Sequence, residues 1–284
     1  MASWAGTRRT LAVTALAAAV GAGSVLAAGP GGASARPGPE RGRLASTISG
    51  RGAVPGGGAV SCRVAIGTPR RARARPRLVV LGASFTAGVG APAPSDGWAV
   101  RLAELIGWPA LTVGVPGAGY AQPGVDDLGP MSRELSRLDL AAVHPAVVVI
   151  QAGHDDWRVP RAVESDHVTA LVRRLRSEAP AARLALLTVF SRPGAGPAVA
   201  RADLRTDSAI VSAARAADPR VIVIDPLRGH WRFPRARGGL HPTAPGHLLI
   251  ARRVARALVR AGAVATAAAR PAPADVTCVR TTSR

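Results

Sequence analysis

The chain has 284 residues, 48% hydrophobic and 19% charged, a globular composition long enough for one domain with a full core or two small ones. Only 3% are aromatic, so the core must be built from Ala, Val, Leu and Ile. The net charge of +20 comes from arginine alone, yet zinc-finger and RNA-binding signatures and aromatic-interleaved basic runs are lacking, which argues against nucleic acid as a partner.

The N-terminus carries Arg8 and Arg9, then an apolar stretch from Leu11 to Ala28, then small residues. That is the layout of a secretory signal over residues 1–35, with cleavage after Ala27 or after Ala35. Thr7-Arg8-Arg9-Thr10-Leu11 partly matches a twin-arginine signal, so Sec and Tat export both stay open. A retained membrane anchor is the competing reading, weakened by the glycines and alanines of the stretch. A secreted or extracytoplasmic protein is expected. Removing residues 1–35, with two arginines and no acids, lowers the charge only from +20 to +18. Such a charge favours an anionic cell-envelope surface, although a genome rich in G and C would also supply arginine.

Residues 36–77 are rich in Gly, Pro and Arg without periodicity and read as a flexible linker. The cluster from Arg70 to Arg77 reads as a solvated lead-in to the first strand. From Leu78 the pattern changes, and a domain is expected over 78–264. Apolar runs at 78–81, 110–115, 146–150, 183–189 and 221–224 alternate with segments of helical period. Asp96 is placed to cap a helix running through Gly107. Val168, Leu171, Val172 and Leu175 follow the i, i+3, i+4, i+7 rule, and a last helix is expected from about Ala244 to Ala261. Strand and helix alternating five times implies a three-layer α/β/α domain around a five-stranded parallel sheet. Residues 265–284 read as a C-terminal tail.

Cys62 and Cys278 are the only cysteines and stand at opposite ends of the expected domain. In an exported protein they most simply form one disulfide; two unpaired thiols are the alternative.

Ser84 follows the apolar run Leu78-Val79-Val80-Leu81, which breaks at Gly82. A serine just past the C-terminal end of a buried parallel strand lies where open α/β sheets bind ligands. A helix-capping serine in an ordinary strand-to-helix loop is the plain alternative. Three later segments bear on the choice. Val113-Gly114-Val115-Pro116-Gly117-Ala118-Gly119-Tyr120 follows the second strand. Ile150-Gln151-Ala152-Gly153-His154-Asp155-Asp156-Trp157 follows the third, and Gly238-Gly239-Leu240-His241-Pro242-Thr243 follows the fifth.

Together with Gly82-Ala83-Ser84, in this order, the segments resemble the SGNH (GDSL) hydrolase superfamily over residues 78–262. The resemblance implies a flavodoxin-like SGNH hydrolase fold and a secreted serine esterase or lipase that cleaves carboxylic esters through an acyl-enzyme. Ser84 matches the nucleophile and His241 the general base. Ser84 and Gly117 match the backbone donors of the oxyanion hole, and Asp155 falls where the family has an oxyanion-hole asparagine. An ionised carboxylate donates nothing, whereas a carboxyl kept neutral does. The aspartate expected three residues before the histidine is Gly238 here. A Ser–His dyad, or substitution by Asp155, Asp156 or Asp225, are the readings left.

A serine hydroxyl needs a neighbouring imidazole to take its proton, and the oxyanion needs donors fixed in advance. This chemistry requires neither metal nor organic cofactor. The substrate expected is a small-molecule, lipid or acylated-carbohydrate ester, acted on by a monomer. Acyl transfer to a sugar shares the first half-reaction. The rival reading is a catalytically weak protein of this fold that binds envelope carbohydrate or lipid. His154 reads as a loop residue beside the site, and His247 as a residue of the last helix's first turn. Trp98, Trp108, Trp157 and Trp231 read equally well as pocket or packing residues.

Overall fold

The computed structural model describes residues 57–67, 75–265 and 274–282 together with the backbone of residues 45–47. The expected export signal lies outside these residues. Eight strands form one sheet: β1 (Ala45–Thr47), β2 (Ala59–Ile66), β3 (Leu78–Gly82), β4 (Ala110–Gly114), β5 (Val147–Gln151), β6 (Arg183–Leu187), β7 (Ile222–Ile224) and β8 (Ala274–Thr281). Their order across the sheet is β1-β8-β2-β4-β3-β5-β6-β7.

The five strands β4-β3-β5-β6-β7 run parallel, as the five apolar runs imply. β3 and β5 are buried at every residue, so both faces must be covered. The side chains divide as a pleat requires: Leu78 and Val80 point into one apolar cluster, Val79 and Leu81 into the other. On the first face α1 (Trp98–Ile106) packs against α6 (Ala244–Arg260). The second carries α2 (Met131–Leu135), α3 (Leu140–Val143), α4 (Arg161–Glu178) and α5 (Pro197–Ala217), with α4 against α5. The periodic residues Val168, Leu171, Val172 and Leu175 are the buried stripe of α4. Burying one such aliphatic side chain is worth about 1.5–3 kcal/mol.

The sheet also corrects the expected boundaries. Residues 59–66, read as linker, form β2, which pairs antiparallel with both β4 and β8. Residues 274–281, read as tail, form β8. The alternating burial of Ala-Val-Ser-Cys-Arg-Val-Ala-Ile suits a strand with one face on the core, a pattern too short to stand out beside the glycines before it. Cys62 and Cys278 face each other across β2 and β8 and form a disulfide, so the covalent tie is part of the sheet extension.

Asp96 does not cap α1. The N-cap is Gly97, without a side-chain hydrogen bond, and Asp96 sits in a preceding 3-10 turn paired with Arg101 at 2.5 Å. Among the described residues no helix is long and apolar enough to cross a membrane. The described residues also contain no group of three or more His, Cys, Asp or Glu placed to hold a metal ion.

Candidate active site

Ser84 lies in the turn that leaves β3. The turn closes through Ala87 N–H to Ala83 O at 3.0 Å and Val89 N–H to Ser84 O at 3.0 Å. It is tied to the end of β5 by Ala83 N–H to Gln151 O at 3.1 Å and by the Thr86 hydroxyl to Gln151 Oε1 at 3.0 Å. Two strands thus fix where the serine points. Ser84 is 8% exposed, low for a hydroxyl with only one protein partner.

That partner is His241, whose Nε2 lies 2.9 Å from Ser84 Oγ. The histidine arrives from 157 residues away on the loop before α6, held by Ala236 N–H to His241 O at 2.8 Å and Thr243 N–H to Pro234 O at 3.0 Å. Thr243 then caps α6, its hydroxyl accepting from Gly246 N–H. The approach needs Gly90, at φ +93°, because a Cβ there would stand 2.4 Å from Pro242 O and 3.0 Å from His241 Cβ. Burial, and then the charge of Arg235, hold the His241 imidazole below its usual pKa, so it stays a neutral acceptor into mildly acidic solution.

Gly117 lies on the loop after β4. Among the described residues the N–H groups of Ser84 and Gly117 have no acceptor, as donors waiting for an oxyanion would. The loop hangs on Asp156. This carboxylate accepts from the N–H groups of Tyr120 at 2.6 Å, Ala121 at 3.1 Å and Gln122 at 3.1 Å. Asp156 is fully buried. Burial pushes its pKa up, while the three N–H groups and the charge of His167 pull it down.

Asp155, one residue earlier, is half-buried and makes no hydrogen bond or ion pair with the described residues. Burial raises its pKa to about 6, helped by repulsion from Asp156 and opposed by Arg192.

No carboxylate hydrogen-bonds to His241 among the described residues. Asp156 is committed to the β4 loop, and Asp225 accepts from Arg228 N–H at 2.8 Å. Gly238 is at the exposed tip of the histidine loop, at φ +97°, and a Cβ added there would have nothing within 4 Å.

His154 is buried at 6% exposure, with its ring centre 6.0 Å from Phe85. Burial, then the charges of Arg192, His241 and Arg235, lower its pKa to about 3, so it is a neutral wall of the site. His247 does sit in the first turn of α6, but it also accepts from Trp98 N–H through Nδ1 at 3.2 Å. Its Nε2 lies 3.1 Å from Val89 O, to which it donates, stitching α6 to the Ser84 turn. Sequence reasoning missed this role and that of Asp156. The tryptophans divide: Trp98 is core, Trp108 packs against it, Trp157 lies against Arg158 and Arg192, and Trp231 lines a groove.

The model of the GDSL-like Lipase/Acylhydrolase family matches residues 80–249, more than half of the chain. No curated protein matches. Among solved structures, a carbohydrate esterase family 2 enzyme of Corynascus thermopiles (Myceliophthora fergusii) aligns at 18% identity and a TM-score of 0.55. That alignment covers 66% of this chain and 66% of that one. A family two carbohydrate esterase from Clostridium thermocellum, in complex with cellohexaose, aligns at 18% identity and a TM-score of 0.51, covering 66% and 65%. A salicylyl-acyltransferase from a tetracycline biosynthetic pathway aligns at 19% identity and a TM-score of 0.50, covering 66% and 55%. The shared part is at most about two thirds of each of those chains, and at these identities it shows a common fold.

Proposed function

Since the chain belongs to the GDSL-like lipase/acylhydrolase family, we propose that it cleaves carboxylic esters through an acyl-enzyme on Ser84, with His241 as base. The observation that carries this reading is the 2.9 Å contact between Ser84 Oγ and His241 Nε2. His241 Nε2 takes the hydroxyl proton as Oγ attacks the ester carbonyl. The same nitrogen then returns the proton to the departing alcohol oxygen. The carbonyl oxygen, negative in the tetrahedral intermediate, lies on the N–H groups of Ser84 and Gly117. Water, or a sugar hydroxyl, attacks the acyl-enzyme by the reverse of the same steps.

The pair works as a Ser–His dyad in this reading, because Asp155, Asp156 and Asp225 make no hydrogen bond to the imidazole. Asp155 completes the oxyanion hole while it is protonated. An oxidising compartment outside the cytoplasm suits the disulfide and the expected export signal. Acylated carbohydrate is the substrate class most in keeping with the fold's likeness to carbohydrate esterases. That no carboxylate among the described residues hydrogen-bonds to His241 favours the rival reading, a weakly catalytic binding protein.

One experiment separates the two. A fluorophosphonate probe should label the wild-type protein and leave Ser84→Ala unlabelled. A folded wild-type protein that stays unlabelled at near-neutral pH carries no activated serine, and the esterase reading fails.

A further inference from the structure

On the side of the histidine loop lies a groove of about 880 Å³, walled by Ser191, Leu204, Arg228, Trp231, Arg232, Phe233 and Arg235 among others. Arg235 forms a β-bridge with Pro242, the neighbour of His241. The Phe233 ring stands edge-on to Phe85 at 6.4 Å, and Phe85 is 5.4 Å from the His241 ring. Reaction direction gives this position a meaning. Nε2 must deliver its proton to the leaving oxygen, so the alcohol half of the ester departs over the imidazole. A groove on the side of the histidine loop, lined by neither Ser84 nor Gly117, is therefore placed for the alcohol.

Among the described residues, Arg228 of the groove's three arginines is paired with carboxylates, and Arg232 and Arg235 are not. The nearby carboxylates are already engaged: Asp207 and Asp225 each lie 3.4 Å from Arg228, and Asp203 lies 3.2 Å from Arg192. Arg235 donates to two carbonyl oxygens, Leu240 O at 2.6 Å and Ser191 O at 3.1 Å, and has no carboxylate partner among the described residues. Its guanidinium lies over the Phe233 ring at 4.2 Å, which fixes its plane. Arg232 is exposed and forms no ion pair with the described residues. Two guanidiniums thus face a partly apolar groove with half-buried Trp231 and Phe233 beside them. An anionic group on a ring-shaped alcohol meets both features, because guanidinium binds carboxylate and phosphate in a planar fork and aromatic surface covers a ring face.

We propose that this groove binds the alcohol part of the ester and selects an alcohol bearing an anionic group, a carboxylate or a phosphate on a sugar-like ring. This rests on the esterase reading and adds the substrate's charge to it.

The test compares kcat/KM for three acetyl esters: a methyl glucoside, a methyl glucuronoside and a glucose phosphate. At low salt the anionic esters should be preferred by about tenfold or more, the scale of electrostatic selection. The better of the two tells carboxylate from phosphate. The preference should fall towards one in Arg232→Glu, and in the wild type at about 0.5 M salt, where charges are screened within a few ångströms. Taking a ratio within each preparation removes any loss of folded enzyme. Arg260→Glu, at the far end of α6, makes the same change in net charge and should keep the preference. Equal rates on all three esters overturn the groove assignment and leave the esterase reading standing. A preference lost equally in Arg260→Glu also overturns it, since net charge alone would then be responsible. Cleavage of none of the esters by a protein that the fluorophosphonate probe labels overturns the groove assignment alone; without labelling the esterase reading falls as well.

Discussion

The loop after β4 and the loop before α6 both bring a polar group to Ser84, and both bond to their own backbone, but only the first is also hung on a buried carboxylate. The first is suspended from outside: Asp156, beyond β5, accepts three successive N–H groups from Tyr120 to Gln122. The second is held largely from within, by two backbone hydrogen bonds and by Arg235 donating to Leu240 O. The first loop also bonds to itself, through Ala118 N–H to Val115 O at 3.1 Å, Gly119 N–H to Gln122 O at 2.9 Å and Val125 N–H to Pro116 O at 2.9 Å, so what sets it apart is the added buried carboxylate. The difference also explains where negative charge goes. Among the described residues, the only fully buried carboxylate with several N–H partners beside the site supports the loop that carries Gly117, and the imidazole is left to burial and a nearby guanidinium.

The comparison breaks most visibly at Asp156. Asp156→Ala leaves three N–H groups without their acceptor and releases the loop that carries Gly117. kcat on a soluble short-chain ester should fall by about 10²–10³, the usual loss when one oxyanion donor goes out of place. Near-wild-type kcat in a folded Asp156→Ala protein would mean that the loop needs no such anchor.

Asp155 sharpens the contrast, because it stands next to Asp156 without its hydrogen bonds. Burial first, then repulsion from Asp156, raise its pKa to about 6, so the carboxyl is neutral and able to donate below that pH and ionised above it. His241 is held below its usual pKa and is already a neutral base in mildly acidic solution. The pH profile should be a bell displaced to the acid side of neutrality. Its alkaline limb should fall by up to about tenfold per pH unit above about 6. Asp155→Asn should remove that limb, since an amide donates at every pH. Superimposable profiles would take Asp155 out of the reaction.

Gly238 tests the other loop and should give the smallest effect. An aspartate restored there matches the family pattern, yet the backbone is at φ +97° and the added side chain enters open space at the loop tip. Strain of about 1–3 kcal/mol should lower Tm, and kcat should stay within about threefold of wild type. A tenfold rise in kcat would mean that the loop rearranges to bring the carboxylate onto Nδ1.

The five parallel strands could be read from the chain because a strand buried on both faces must be apolar at nearly every position, as Leu78–Gly82 and Val147–Gln151 are. The stripe of α4 and the start of α6 at about Ala244 were legible for the same local reason of period. β2 and β8 were not. Each has one protected face and weak patterning, and β2 exists through pairing with β4 and β8. Asp96 misled for a related reason: its sequence position suits a cap, but Arg101 on the finished helix takes its carboxylate.

By itself the sequence determined the five parallel strands and the two cysteines able to pair, which follow from residue type and spacing, local properties of the chain. Ser84, Gly117 and His241 were singled out by the resemblance to the family. Only the tertiary structure decided that Ser84 and His241 are in contact, that Asp156 belongs to the β4 loop and that Gly238 opens on empty space. It also left two arginines without carboxylate partners, among the described residues, in the groove on the side of the histidine loop. Each of these depends on which groups meet across the fold, and hydrogen bonds and charge compensation act over a few ångströms whatever the separation along the chain.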